Sequence, residues 1–487
     1  MKKYIPENID IEDIIANYPV SSIKGFHRDK LNWILSEIAE RPYNMNGYAE
    51  IHSKRLRSFV HNYNDYLEYA ANSRLIDRDM QFYYDIFSRS KVRGYKFTDQ
   101  YSSTFTGAEI NYLPIVKRYA REKSVKLKSC HANSHLVKWF NPSLTIDYDN
   151  AIDYLSTYYA EKKRESELLA VTEQAIRNTW YEDYSIKYLE LQQCQAKNPY
   201  DSYRRAFMSI DRIQEQEYCL STDSKVRRLH SIITLMPADF RNFLSYEGEE
   251  LVCLDIRNSQ AFFSLNLLNK ENIEETISIA KELNKKEGKV YSNIDKILSN
   301  LSSSSLILSQ SLQRIENEEV ERYEKLVLSG RIYDYFEQAL REELGITYAT
   351  RSALKEEFFR VMYSSNKFFG QSAAAPKRMF QKHFPGIFDY FFLLKKMHSD
   401  IIPIILLRWE SYAILQCIAK RISKSNPEIP LFTVHDSIAT TKGNVDFVSS
   451  IICKELKNLT GYEPMLKKEE WDITNLKYYN KWRHKQS

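Results

Sequence analysis

Apolar residues in this chain fall into short runs that stop abruptly at acids, and two of those runs set the pattern. Leu251 to Leu254 is continuous apolar sequence of strand length, and it ends on Asp255. Ala261, Phe262, Leu265 and Leu268 then recur at helical spacing, which predicts a buried strand turning directly into a helix. Residues 429–434 form a second apolar, β-rich run. His435-Asp436-Ser437 interrupts it and apolar residues resume at Ile438, the pattern of a β-hairpin with a polar tip. A strand-end aspartate is ordinarily a helix N-cap. A hairpin that carries Asp436 to Asp255 changes that balance, because two carboxylates packed together repel unless cations neutralise them. Two magnesium ions shared by such a pair are the arrangement used in phosphoryl and nucleotidyl transfer.

A third stretch has helical period. No glycine or proline interrupts residues 351–369, and Thr347 or Thr350 can cap its start. Leu354, Phe358, Val361 and Met362 share one face and predict a core stripe. Arg351, Lys355, Phe359 and Tyr363 lie four apart along its flank, which leaves Glu356, Glu357 and Arg360 for the solvent back. Two cations near a helix start can hold an anionic triphosphate, helped by the helix dipole. Two rings further along the same flank can stack on a base. A plain amphipathic helix accounts for the stripe but does not require cations first and rings after.

Around these segments the chain reads as mainly helical. Residues 1–145 are helix-like patches with basic clusters, among them Lys54, Arg55, Arg57 and the cations of 117–128. They make a candidate nucleic-acid-binding domain, although such clusters also serve as solvated helix faces. Residues 146–195 are free of proline and dense in charge, as in a long helix or helical hairpin. Arg228 and Arg241 flank an apolar stretch and can reach a phosphate backbone, or can sit in ordinary salt bridges. Residues 270–345 read as an inserted helical subdomain, with a serine run at 302–305. Beyond 371 come a helix, a break at Phe384-Pro385-Gly386, a second helix, and then a helix opened by Arg408. Glu410 on that apolar helix is expected to pair with Arg408 or Lys420.

Composition narrows the classes. At 487 residues the chain can bury a large core in two or three subdomains. With 35 Tyr and 24 Phe against 12 Gly, it suits an aromatic-packed, helix-rich protein. A formal net charge of +5 barely favours nucleic acid, so any basic groove must come from local clustering. The six cysteines (130, 194, 219, 253, 417 and 453) never approach Cys-x-x-Cys spacing. That argues against a zinc site or disulfide framework and fits a reducing cytosol. No apolar run reaches the roughly 18 residues of a membrane span, and no signal-length segment opens the chain. The expectation is a cytoplasmic protein with no membrane partner.

Taken in order, these stretches resemble the polymerase domain of family A DNA polymerases and the related phage-type single-subunit RNA polymerases. The likeness runs over roughly residues 200–480. Asp255 with Asn258-Ser259-Gln260 is similar to the first palm motif, and Val434-His435-Asp436-Ser437 to the last. Arg351, Lys355, Phe359 and Tyr363 match the spacing of the fingers-helix motif. Arg228-Leu229 with Ser231 resembles the Arg-Leu-Ser-Ser segment that contacts primer–template, and Phe384-Pro385 a feature that follows the fingers helix.

The resemblance implies that Asp255, Asp436 and the Ile256 backbone hold two Mg²⁺ ions. It also implies that Arg351 and Lys355 hold the triphosphate, that Phe359, Tyr363 and Gln260 surround the nucleotide, and that Arg228, Arg241 and His435 meet primer and template. The implied fold is α+β, mainly helical: a right hand with a small antiparallel palm sheet. Its palm and fingers would lie in 201–487, with fingers at about 270–400, and thumb-like helices in 146–200.

There are departures from the family pattern. The Ser-Gln pair comes later after Asp255 than in family A, and the Glu that screens ribonucleotides there is missing, with Gln260 a candidate for its place. Ser364-Ser365-Asn366 follows Tyr363 where glycine is usual. His-Asp-Ser is closer to the RNA polymerases and Phe359 to the DNA polymerases, so the sugar preference stays open. No carboxylate cluster in the first 200 residues suggests a proofreading nuclease. The expected function is a DNA-directed DNA polymerase acting on primer–template and dNTPs, with unidentified replication or recruitment proteins as further partners. The alternatives are a single-subunit RNA polymerase and a catalytically silent nucleic-acid-binding protein on the same scaffold. The divergent motifs point to a phage, plasmid or other mobile element as source.

Overall fold

A computed structural model describes residues 1–44, 46–85, 90–101, 104–180, 187, 191, 198–269, 305–348 and 350–486. Residues 270–304 of the inserted stretch expected at 270–345, much of the second half of 146–200 and Cys194 therefore lie outside the described residues. The chain divides into two units. The described part is mainly helical with a curled antiparallel sheet, in line with the α+β organisation that the resemblance implies.

The first unit takes residues 1–128, 152–166 and 197–211. Its centre is the helix Arg28–Ala39, in which Leu31, Trp33, Ile34, Leu35 and Ile38 are fully buried. Residues 1–128 are not purely helical as expected. Lys2–Pro6 pairs with Phe105–Glu109, and Ser90–Phe97 lies between Ala49–Ile51 and Ile76–Asp85. Charged residues such as Asp77, Arg78, Arg93 and Lys96 dilute the alternation by which those strands would have been read. The long helix Tyr148–Asn178 falls wholly in the stretch 146–200 expected to be thumb-like.

The second unit takes 129–151, 167–196 and 212–487 and is organised on one strand, β1 (Glu249–Ile256). The hairpin of β2 (Phe432–Val434) and β3 (Ser437–Thr441) pairs with one edge of β1, and β4 (Leu466–Trp471) with the other, all antiparallel. Leu251, Val252, Cys253 and Leu254 are all buried, which explains a continuous apolar run instead of alternation. Helix Val445–Thr460 packs on β1 and β3. After β1, Asn258 takes a left-handed φ of 55° and starts α1 (Ser259–Leu268), a helix buried along its whole length.

The helical part comprises α2 (Asn317–Leu328), α3 (Ile332–Leu344), α4 (Arg351–Tyr363), α5 (Ala375–His383), α6 (Pro385–Met397) and α7 (Ile401–Ser411). Thr350 caps α4, its hydroxyl accepting from the Ala353 N–H at 3.2 Å. Leu354, Phe358, Val361 and Met362 are buried as the stripe predicts. Phe358 meets Tyr333, Phe336 and Phe380 edge-on at 5.2, 5.4 and 6.2 Å between centroids. Glu357 is not on a solvent back. It is buried and paired with Arg360 at 3.0 Å, because α3, α5 and α7 all pack on α4 and leave it a narrower exposed edge than a two-faced helix has.

α7 is not two pieces divided at Arg408. It runs on through a π-helical segment, Tyr412–Ile418, into Ala419–Ser425. The 25-residue column Ile401–Ser425 is long and apolar enough to cross a membrane by length and composition, contrary to the expectation that no such run exists. The polar residues inside it hide its length from a simple apolar count, and 72% of its most apolar window is buried inside the protein.

One buried carboxylate ties the helices together. Glu319 on α2 accepts from the Gly386 and Ile387 N–H groups at 3.1 and 2.8 Å, satisfying the start of α6. Gly386 is required there, since a Cβ would stand 2.9 Å from Ile315 Cγ2. Replacing Glu319 with Ala should therefore lower stability by about 1–3 kcal/mol, seen as a lower urea midpoint. An unchanged midpoint would mean that water replaces the carboxylate without loss.

Candidate active site

The register of the sheet brings the two predicted acids together. Asp255 pairs with Ser437 across β1 and β3, so Asp436, one residue earlier in the hairpin loop, stands beside it. The two-residue loop holds His435 at a φ of 57°, in the left-handed region that non-glycine residues rarely occupy. The Ser437 hydroxyl donates to the Val434 carbonyl at 2.8 Å and closes the turn. Asp436 also accepts from the Ser259 hydroxyl at 2.5 Å, which links the hairpin tip to the first turn of α1.

Electrostatics follow from that proximity. Burial first, and then the negative charge of Asp436, push the Asp255 carboxyl up to about 7. Lys355 and Lys467 oppose the shift without cancelling it. The pair therefore holds more negative charge than its protein surroundings neutralise, which is the situation a divalent cation would relieve. Among the described residues no group of three or more His, Cys, Asp or Glu forms a preformed metal cage. Magnesium asks for less: one or two carboxylates, with waters and substrate phosphates completing its shell. The donor set of Asp255 and Asp436 fits that requirement. Ile256 ends β1 opposite Leu466.

A second chain of contacts runs beside the acids. Arg228 donates to Glu410 Oε1 through Nε at 3.0 Å and Nη2 at 2.5 Å. Gln260 Nε2 donates to Glu410 Oε2, and Tyr363 OH donates to Gln260 Oε1 at 2.7 Å. Glu410 thus pairs neither with Arg408 nor with Lys420, as the sequence suggested. Helical geometry turns it inward, where it is 1% exposed, while Arg408 donates to the Lys225 carbonyl at 2.8 Å. Burial raises the Glu410 carboxyl to about 7 although Arg228 pulls the other way. The only sign of its role in the sequence was a lone carboxylate on an apolar helix.

The α4 residues separate in the structure. Lys355 lies near enough to Asp255 to act on its charge, with its ammonium 5.6 Å from the Tyr333 ring centroid. Phe359 and Tyr363 are stacked at 5.6 Å with 7° between their planes. Arg351 is exposed and pairs with Asp334 at 2.7 Å. Tyr333, absent from the sequence reading, supplies an aromatic wall beside Lys355.

His435 faces Arg228, His230 and Arg241, and burial with those charges lowers its imidazole to about 4 despite Asp436, so it is neutral near pH 7. Arg241 is turned inward, donating to the Ile233 and Met236 carbonyls at 3.2 Å each.

No family model and no curated protein matches the chain. Among solved structures it is similar to the POL domain of Pol1 from M. smegmatis, in complex with DNA primer-template and dNTP. The similarity covers 74% of this chain and 73% of that one at 13% identity, with a TM-score of 0.26. A superposition so loose carries no argument, and the functional reading rests on the residues themselves.

Two outcomes are expected from this site. Folded Asp255 keeps its proton up to about pH 7, whereas an unfolded aspartate loses it near 4. The folded state therefore binds more protons in that window, and stability falls as pH rises through it. Thermal melting in chelator should show a smaller loss between pH 5 and 8 for Asp255→Asn than for wild type. Identical pH dependence in both would remove Asp255 from this account. Second, Arg228→Ala leaves Glu410 buried without its counter-charge and should cost about 3–5 kcal/mol. Adding Glu410→Gln should recover much of that in urea denaturation, and no recovery would show that the pair is not the cause.

Proposed function

We propose that this chain is a template-directed nucleotidyltransferase, a DNA-directed DNA polymerase that extends a primer 3′ end with dNTPs. The observation that carries this reading is the register Asp255↔Ser437, which sets Asp436 beside Asp255 with Lys355 of α4 close by. The palm would be the β1–β4 sheet, and the fingers the helices around α4. A primer 3′-hydroxyl would attack the α-phosphate of the nucleotide in line, and pyrophosphate would leave.

Asp255 and Asp436, with the Ile256 backbone, would hold the magnesium ions. When bound, these would supply neutralisation of the triphosphate and a more acidic 3′-hydroxyl. Lys355 would place a positive charge on the phosphates, with Arg351 free to join it only after leaving Asp334. The stacked Phe359 and Tyr363 rings would present a flat apolar face to the base and sugar. Gln260, fixed between Glu410 and Tyr363, would close the sugar side of the pocket. His435 would meet the primer end as a neutral imidazole, able to donate or accept one hydrogen bond. Arg228 and Arg241 would offer primer–template only the N–H groups that Glu410 and the two carbonyls leave over.

The test is extension of a labelled primer on a DNA template with Mg²⁺, with dNTPs and NTPs in separate reactions. Wild type should extend with dNTPs, and Asp255→Ala and Asp436→Ala should each abolish it. Lys355→Ala should slow incorporation by about 100-fold, the usual effect of removing one preorganised positive contact. Extension with NTPs alone would make the chain an RNA polymerase. No extension from either pool, with equal duplex binding by wild type and variants, would leave a silent binding module.

A further inference from the structure

A helix end exposes carbonyls that lack intrahelical partners, and a left-handed glycine commonly helps to satisfy them. α4 has no such residue. Ser364 follows Tyr363 in an extended conformation, and lysines from other helices take up the Met362 carbonyl and those of Ser364 and Ser365 just beyond. Lys377 on α5 donates to the Ser364 and Ser365 carbonyls at 3.3 and 2.9 Å and to the Ser364 hydroxyl at 3.1 Å. Lys395 on α6 donates to the Met362 and Ser364 carbonyls at 3.1 and 3.2 Å. The same two helices hold the chain just beyond. Arg378 donates to the Phe369 and Gln371 carbonyls at 2.6 and 3.0 Å, and Asn366 donates to the Phe392 carbonyl at 2.9 Å.

This is an expensive way to end a helix. Lys377 and Lys395 are 1% and 6% exposed, and no carboxylate pairs with either among the described residues. Burial lowers both, Lys377 to about 8 and Lys395, with Lys377 next to it, to about 7. Apolar side chains would avoid burying a charge but would leave those carbonyls unpaired. What the lysines hold is specific. Tyr363 is the last residue of α4, stacked on Phe359 one turn back and bonded to Gln260.

We infer that Lys377 and Lys395 are positioning residues for the incoming nucleotide: by holding the carbonyls at the end of α4, they fix where Phe359 and Tyr363 stand. The inference rests on the reaction proposed above. It also assigns a role to Ser364, which supplies both a carbonyl and a hydroxyl to the lysines.

The test uses full-length wild type, Lys377→Met and Lys395→Met, with Lys395→Gln as the second variant should Lys395→Met fail to fold. Single-nucleotide extension gives KM and kcat, and amide hydrogen exchange is followed over residues 360–368, with α7 as the internal control. The expected result is a KM for the nucleotide raised about tenfold, the scale of one lost charged hydrogen bond. It comes with kcat within about twofold and faster exchange confined to 360–368. Unchanged KM with a lower melting temperature would overturn the inference and make the pair merely structural. So would exchange that is unaltered, or faster everywhere alike. Should wild type extend no primer, the proposed reaction fails by itself. Faster exchange confined to 360–368 would then still support the hold on α4, and its absence would overturn that too.

Discussion

The second unit depends on a repulsion that its sheet makes unavoidable. Antiparallel pairing of β1 with β3 buries Leu251 to Leu254 and in doing so sets Asp255 opposite Ser437. Both faces of β1 are buried, so a slip of one residue would exchange the side chains packed on each face, and it is their fit that holds the register. Asp436 is therefore delivered to Asp255 by hydrophobic burial, and the electrostatic cost is carried by the site. Lys355 and Lys467 offset part of it, while burial and then the Asp436 charge still hold the Asp255 carboxyl up at about 7. Elements far apart in sequence answer to that one charge imbalance.

The chain from Arg228 through Glu410 and Gln260 to Tyr363 extends the same logic inward. It joins the segment before β1, the core helix α7, the start of α1 and the end of α4. Each member satisfies a polar group that burial would otherwise leave unpaired, so the four elements cannot shift independently without exposing a cost. A π-helical segment begins two residues after Glu410. Such segments insert an extra residue into the helical turn and commonly mark functional positions. Here the irregularity follows the residue whose orientation links two sides of the site.

The sequence made this site more legible than the scaffold around it. Short apolar runs that stop at Asp255 and Asp436 announce themselves, because burial on both faces removes polar alternation. The stripe on α4 reads off correctly for Leu354, Phe358, Val361 and Met362, which are all buried. Glu357 misled because helical period gives a direction but not the number of neighbours, and α4 has neighbours on most sides. Glu410 misled for a related reason. Local spacing favoured Arg408 or Lys420, while its partner, Arg228, is reached only through tertiary packing. The strands of residues 1–128 were hidden by their charges, and the length of the Ile401–Ser425 column by the polar residues within it.

Strained backbone and shifted titration occur together at the site. Of six non-glycine residues with left-handed φ among the described residues, Arg227, Asn258 and His435, at 65°, 55° and 57°, adjoin residues of the site, while Arg74, Gln216 and Glu247 lie elsewhere. Asp255 and Glu410 are both raised to about 7 in the same neighbourhood, and His435 is lowered to about 4. Backbone strain of this kind persists only where surrounding structure over-determines it, and here the buried register of β1 does so. A sequence optimised for stability alone would remove these features one by one. On the proposed reading, a cation and an anionic ligand would relieve part of their cost on binding, and by linkage the same binding would stabilise the fold.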